Sequence, residues 1–498
     1  MRLSPLSVPY RVVEKGASVV FTAAFLLFSG AASFTGGIVG PLVVAGLLGA
    51  FLLALVGYEV AYYRRYEYEL TADSLDIRSG VLSRRNREIP LRRIQNVDIE
   101  RNVVQRVLGI AAVSLETAGG SETEAVIRFV PFAEAKRLQR EISRLKRGVS
   151  AEDADEGGPP AEELFALSPR ELALVGLLSF DLRIPGALFF LASGSVPVVS
   201  SFVEFGSQLA LVAVGGVAFL LAVALVSWFV GAAVAVANYY DFRLTRTSDE
   251  LQYERGLLRR YDGSIPLDKL QTLAIEDNPL KRRFDYATLA IETAGYGPGQ
   301  GGEYGSQAAV PLARRGRVVR LANALEPFGE PSFERPPKRV RRRYAVRYLI
   351  VLGVATGAFY AIDAALGAGF PWYLVAVALP LVPVAAHYKW KHRGYWLGEN
   401  HLVTRNGFWR RETKIVPYYR IQTVIDARTL FQRRWRVATV TADTAGSLSL
   451  GDKDAAAVDV DEALADELRA ELERRLHAAL ARKRRGGFAF GNVESVEK

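Results

Sequence analysis

The chain has no cysteine, one methionine and four histidines in 498 residues. Without a thiol there is no disulfide, no thiolate metal site and no cysteine nucleophile. The histidines, His387, His392, His401 and His477, all fall in the last quarter. The first two thirds therefore cannot supply a histidine metal site or a Ser-His-Asp triad, which argues against a conventional hydrolase. No enzyme, metal or cofactor is expected. Acidic residues are also fewer than basic ones, 53 against 63, for a formal charge of +10. That excess points to an acidic partner, and for an apolar chain anionic lipid is the more economical one. No RNA- or DNA-binding module is visible, so nucleic acid is not expected.

What is abundant is apolar sequence, 50% of the chain. Six apolar stretches come in three pairs, roughly Ala17 to Thr35 with Ile38 to Tyr62, Ile184 to Val203 with Leu209 to Ala237, and Tyr348 to Leu366 with Pro371 to Tyr388. Each is long enough to cross a hydrocarbon core of about 30 Å as a helix. The tips carry no Lys or Arg, whereas the opposite ends carry Arg11, Lys15, Arg64, Arg65, Lys338 to Arg343 and Lys389 to Arg393. Basic flanks stay cytoplasmic, so a multi-pass cell-membrane protein with cytoplasmic termini and soluble segments is expected. The first run, ending near SGAAS, also has the form of a signal peptide, but two later hairpins repeat the arrangement with no cleavage requirement. Asp363 is read as the one clear carboxylate within a span, in the outer interface near a hairpin tip.

The segments after the hairpins repeat one another. YEYELTADSLDIRSGVLSRRNREIPLRRIQNV, YDFRLTRTSDELQYERGLLRRYDGSIPLDKLQTL and YWLGENHLVTRNGFWRRETKIVPYYRIQTV are followed by LETAGG, IETAGY and ADTAGS. Glycine to proline is ten residues in each copy, Gly80 to Pro90, Gly256 to Pro266 and Gly407 to Pro417. Glutamine to the second glycine is twenty-four, Gln95 to Gly119, Gln271 to Gly295 and Gln422 to Gly446, and an arginine lies eleven after each glutamine, at Arg106, Arg282 and Arg433. Agreement at three offsets marks three copies of one fold. Alternation of apolar and polar residues predicts strands, with the first glycine in a turn that needs positive φ. PFAEAKRLQREISRLKR, VPLARRGRVVRLANALEP and DVDEALADELRAELERRLHAALARKRR predict a closing amphipathic helix in each copy.

The hairpin followed by Y-x-[FY]-x-L-T, G-[VL]-L, IPL-x-[RK]-[IL]-Q and ETAG resembles the YdbS/YdbT-like family of bacterial pleckstrin-homology (PH) membrane proteins, most closely its three-copy YdbT type. The resemblance spans nearly the whole chain and implies an α+β membrane protein. Each of three transmembrane helical hairpins would be followed by a PH-like antiparallel β barrel with a C-terminal helix, and the family has no established enzymatic activity. The third copy departs most, with WLGENHLVTRNG in place of the usual strand and turn.

The expected boundaries are hairpin 1 at 17–63, PH-like domain 1 at 64–147, an acidic disordered linker at 148–167, an interfacial helix capped by Ser168 with hairpin 2 at 168–238, domain 2 at 239–328, hairpin 3 at 344–390 and domain 3 at 391–485. Arg92, Arg93, Arg106, Lys269, Arg282, Arg420 and Arg433 are candidates to bind an anion or a partner. The glutamines read better as strand-register residues. Glu116, Glu292 and Asp443 recur with no histidine or second carboxylate at fixed spacing, so they read as strand-end residues rather than acids. Gly295 to Gly305 lacks the ending of a phosphate loop. The function expected is a membrane-tethered scaffold or regulator that binds anionic headgroups, another membrane protein or its own kind. The alternative is a six-helix transporter or export factor, which the scarcity of polar residues in the spans disfavours.

Overall fold

A computed structural model describes residues 1–28, 39–117, 125–147, 162–178, 209–293, 307–366, 378–445 and 454–485, with 373 and 376. The span expected at Ile184 to Val203, the linker at 148–161, Gly119, Gly295, Gly446 and the glycine-rich loop lie outside the described residues. Two compact units form, Met1–Glu163 with Tyr240–Pro266, and Leu164–Tyr239 with Leu267–Lys498.

In the first unit, helices Ser7–Phe28 and Val39–Arg65 pack together, with Gly16 against Leu52 and Leu55. Strands β1 (Glu67–Leu70), β2 (Ser74–Ser79) and β3 (Arg85–Pro90) form one antiparallel meander. A tight turn at Leu91–Arg93 leads into a second meander, β4 (Ile94–Asn102), β5 (Ile110–Thr117) and β6 (Ala125–Pro131). Alternation along these strands sends Tyr68, Leu75 and Ile89 from the first meander, and Val97, Ile99, Val113, Leu115 and Ile127 from the second, into one core. Helix Phe132–Arg147 closes it with Ala135, Leu138 and Ile142. Truncating fully enclosed Leu138 to Ala would cost about 2–5 kcal/mol.

A short strand, β7 (Glu162–Ala166), follows in sequence; β8 (Arg243–Arg246), β9 (Glu250–Arg255) and β10 (Arg259–Pro266) then begin the second copy. Within the first unit, β10 pairs with β4, so the sheet runs β6-β5-β4-β10-β9-β8. The second unit repeats the plan. It holds β11 (Leu270–Asp277), β12 (Tyr286–Thr293) and β13 (Gln307–Arg314) with helix Arg315–Leu325. The third copy supplies β14 (Gly394–Leu397), β15 (His401–Asn406), β16 (Arg411–Pro417), β17 (Ile421–Ala427), β18 (Val437–Thr444) and β19 (Ala455–Asp461), with helix Glu462–Arg485. Here β16 pairs with β11, giving β13-β12-β11-β16-β15-β14, while β17-β18-β19 stand as a separate sheet.

This pairing differs from the expected barrel closed within each copy. Each copy is split at its three-residue turn into two meanders. In no copy does the last strand before that turn pair with the first strand after it; instead β4 pairs with β10 of the second copy, and β11 with β16 of the third. Because an exposed edge seeks a partner, tandem copies satisfy one another's edges.

Two stretches among the described residues are long and apolar enough to cross a membrane, Ala45–Arg65 and Ala222–Tyr239. Helix Val340–Leu366 carries Asp363 three residues before its end, and helix Leu381–Lys391 follows. Helix Pro169–Leu178 is capped by Ser168, whose Oγ accepts from the Glu171 amide at 3.3 Å. It buries Val175 and Leu178 against Leu312 of β13, so its apolar face meets protein, where the sequence suggests a membrane interface.

Candidate membrane-facing turns and repeat junctions

The three glycines that open the repeat adopt φ of +107°, +108° and +90° at Gly80, Gly256 and Gly407. A Cβ there would lie 1.8 to 1.9 Å from the carbonyl oxygen of Ser83, Arg259 or Arg410, so glycine is required by space as well as by φ. Each tight turn holds at least one large apolar side chain in the open. Leu82 is 93% exposed, Leu258 60% and Trp409 76%, and each stands two residues after its glycine.

The first and third turns rest on the end of an apolar helix, and the second bonds to the residue that follows one. Arg65, the last residue of its helix, donates Nη1 to the Val81 carbonyl at 2.9 Å. The Gly256 amide donates to the carbonyl of Tyr240, one residue past helix Leu209–Tyr239, at 2.8 Å. Phe408 packs on Tyr388 and His392 at ring separations of 5.2 and 5.5 Å, at the end of Leu381–Lys391. A second apolar tip in each copy is the short helix between its fourth and fifth strands. There Val104, Leu280 and Phe431 occupy one repeat position and are 47% to 71% exposed. Asn102, Asn278 and Thr429 cap these helices.

The arginine eleven residues after each glutamine lies in this same short helix. Arg106 Nη2 donates to the Leu257 carbonyl at 2.5 Å, and Arg282 Nη2 to the Phe408 carbonyl at 2.7 Å. Both acceptors are the residue after the next copy's glycine, so each arginine clamps its own copy to the turn of the following one. Cross-strand ion pairs reinforce the junctions, with Arg259 Nη1 3.7 Å from Glu100 in the first and Arg410 Nη2 3.0 Å from Glu276 in the second. Asp277, whose side chain is 1% exposed, collects Arg282 at 2.8 Å, Arg315 at 2.9 Å and Arg411 at 2.5 Å. Beside it, burial and then the Arg282 and Arg411 charges push the His392 imidazole down to about 4.

The bacterial PH domain family model matches residues 22–146, 196–328 and 349–476, together well over half of the chain. The chain belongs to the bacterial PH domain family. Over 422 residues, 80% of this chain and 84% of the relative, it is 26% identical to the UPF0699 transmembrane protein YdbT of Bacillus subtilis (strain 168). No solved structure matches the chain. With its apolar helices, this is a membrane protein carrying three bacterial PH repeats, as the repeated text and the resemblance lead one to expect.

Within the bacterial PH repeats, the remaining candidates from the sequence, Arg433 apart, lie in the turn between the meanders of their own copy. Arg92 and Arg93 are exposed there. Lys269 pairs with its neighbour Asp268 at 3.3 Å, and Arg420 donates to the Asp268 carbonyl at 2.6 Å, so Arg420 links copies two and three. Arg433 is exposed and donates to the Arg428 carbonyl at 3.3 Å. The glutamines diverge: Gln271 is buried and donates to the Lys269 carbonyl at 3.3 Å, Gln422 is exposed, and Gln95 lies in β4. Pro90, Pro266 and Pro417 each end a strand, where no ladder donor is needed. Glu292 accepts from Lys414 of the neighbouring copy at 2.7 Å. Among the described residues no cluster of three His, Asp or Glu side chains is placed to hold a metal ion.

Sequence reasoning missed three carboxylates. Glu59 sits buried within an apolar helix, 2.7 Å from Lys15 and 3.5 Å from Arg11, so that pair of basic residues on helix Ser7–Phe28 neutralises it. Asp277 has Arg101 and Arg428 at its repeat positions, so recurrence gives no signal for it. Asp459 is 1% exposed and accepts from Arg343, Tyr344, Arg393 at 2.9 Å and Gln432 at 3.0 Å, tying helix Val340–Leu366 to the third repeat. Burial pushes its carboxyl up, but the Tyr344 hydrogen bond and the two guanidinium charges outweigh that and hold it below the ordinary aspartate range.

Proposed function

We propose that this protein is a non-catalytic, multi-pass membrane scaffold whose three cytoplasmic PH repeats lie against the leaflet that anchors them and engage its anionic headgroups. The recurrence of an exposed large hydrophobe at Leu82, Leu258 and Trp409 carries the reading, because each stands in a turn bonded to or packed on the end of an apolar helix or the residue after it. An apolar tip at that level has the acyl boundary as its natural environment, and a flanking basic pair attracts anionic lipid at about 1 kcal/mol per residue. Arg84 and Arg85 flank the first tip, Arg259 and Arg260 the second, Arg410 and Arg411 the third. Several of these also serve the junctions, so the first copy offers its pair most openly. Basic residues at the hairpin bases and apolar tips elsewhere support a cytoplasmic orientation.

The test is lipid selectivity of the full chain reconstituted with spin-labelled anionic and zwitterionic lipids across a salt series. The reading expects anionic lipid to be immobilised preferentially, less so at high salt and less so in Arg84→Gln/Arg85→Gln. Equal immobilisation of both lipids at low salt would defeat lipid engagement and leave only tethering.

A further inference from the structure

The copies join by one rule applied twice. At the first junction Asp262 faces Ile99, and at the second Thr413 faces Ile275. Asp262 and Thr413 each stand four residues before the strand-ending proline, Pro266 or Pro417, and Ile99 and Ile275 each stand four after the glutamine, Gln95 or Gln271. The register is thus identical in repeat terms. Applying the same rule to the ends of the series leaves two edges over. Among the described residues no strand pairs with the free side of β3, the counterpart of β10 and β16, or of β17, the counterpart of β4 and β11.

Burial follows the missing partners. Arg85, Asn86, Arg87 and Glu88 of β3 are all exposed, whereas every β16 residue but one is buried. Gln271 and Thr272 in β11 are 5% and 2% exposed, while Gln422 and Thr423, at the same positions in β17, are exposed and Ile425 is 45% exposed. The clamp is left over too. Arg106 and Arg282 reach the next copy's turn, whereas Arg433 points to no later copy in the chain, and Val81 belongs to the first turn of the series. Charged side chains on an edge often block pairing. Here they do not argue for blocking, because β10 and β16 carry Arg259, Arg260, Asp262, Arg411, Glu412 and Lys414 and pair all the same.

We infer that the partner for both edges is a second copy of this chain: β17 of one molecule pairs antiparallel with β3 of the next, with Asn86 opposite Asp426 and Arg87 opposite Ile425. Arg433 donates across that interface to the carbonyl of Val81, whose second lone pair is available beside the bond from Arg65 Nη1 at 2.9 Å, and the contact is heterologous, head to tail. This goes beyond lipid engagement and stands whether or not the tips bind anionic headgroups.

The absence of cysteine makes the test direct. Two full-length chains with different tags, one Asn86→Cys and the other Asp426→Cys, are co-reconstituted into liposomes and oxidised, directly opposed strand residues being within disulfide reach. The inference expects a linked species carrying both tags. A mixture of Asn86→Cys with Gln422→Cys, out of register, is expected to give little, and comparable yield from it would mean random collision and overturn the register. Linkage within Asn86→Cys alone would mean β3 pairs with itself and overturn the head-to-tail arrangement. No mixed species while both thiols react with a maleimide would overturn the interface. Arg87→Cys with Ile425→Cys repeats the test without touching Asp426. Arg433→Ala is expected to weaken the association about tenfold, or about 1.4 kcal/mol, and an unchanged yield would overturn the clamp.

Discussion

Replacing Asp277 by Asn should unfasten the second junction. The carboxylate is almost wholly enclosed and accepts from Arg282 at 2.8 Å, Arg315 at 2.9 Å, and Arg411 through Nε at 3.0 Å and Nη2 at 2.5 Å. An amide of the same shape keeps one acceptor oxygen, turns the other into a donor facing guanidinium, and removes the charge balancing three cations. Removing one partner of a buried ion network costs about 3–5 kcal/mol, because the remaining charges stay desolvated. For a unit of about 300 residues, at an unfolding entropy of about 2.1 cal/mol/K per residue, the lower figure corresponds to a fall in melting temperature of about 4–5 °C. Tryptophan fluorescence is a selective probe, since all six tryptophans, Trp228, Trp372, Trp390, Trp396, Trp409 and Trp435, belong to the second unit. A melting temperature within a degree of the parent would refute the assignment of Asp277 as the charge centre of the junction.

Gly407→Ala should lower the same melting transition by at least about 2 kcal/mol, because alanine is strained at φ +90° and its Cβ meets the Arg410 carbonyl oxygen at 1.9 Å. Acid should act through His392. Its folded pKa near 4 lies below the ordinary imidazole value of about 6.5, so the unfolded chain binds the extra proton, and stability held above about pH 6.5 declines as pH falls toward 4. His392→Gln should flatten the melting profile across that window, and a superimposable profile would exclude His392. Asp459→Asn should cost about 3 kcal/mol and release helix Val340–Leu366 from the third repeat, seen as faster amide exchange at Arg343 to Tyr344.

Much of this was legible in the chain itself, because it depends on local geometry repeated three times. The glycine, proline and glutamine offsets mark a positive-φ turn, a strand end and a strand start that a single copy would not reveal. The terminal helices announce themselves by apolar residues at three- and four-residue steps. Strand partners were not legible, because β4 presents the same alternation whether it pairs with β3 or with β10. Which edge it meets is settled by the turn at Leu91–Arg93 and by the presence of a following copy. The repeated arginines carry a signal whose meaning depends on that pairing: charge alone suggests an anion site, while Arg106 and Arg282 each find a backbone carbonyl of the next copy. Glu59 escaped notice for the opposite reason, one acid in a long apolar run whose basic partners lie 44 and 48 positions earlier, at Lys15 and Arg11.

The depth of the three exposed tips tests the central claim most directly. Single cysteines at Leu82, Leu258 and Trp409 in the cysteine-free chain, labelled with an environment-sensitive fluorophore, report their surroundings after reconstitution into bilayers of neutral or anionic lipid. The account predicts blue-shifted emission quenched by labels at the acyl boundary at all three positions, stronger in anionic bilayers. Water-like emission at all three positions in both bilayers would contradict it, and the repeats would then stand clear of the membrane.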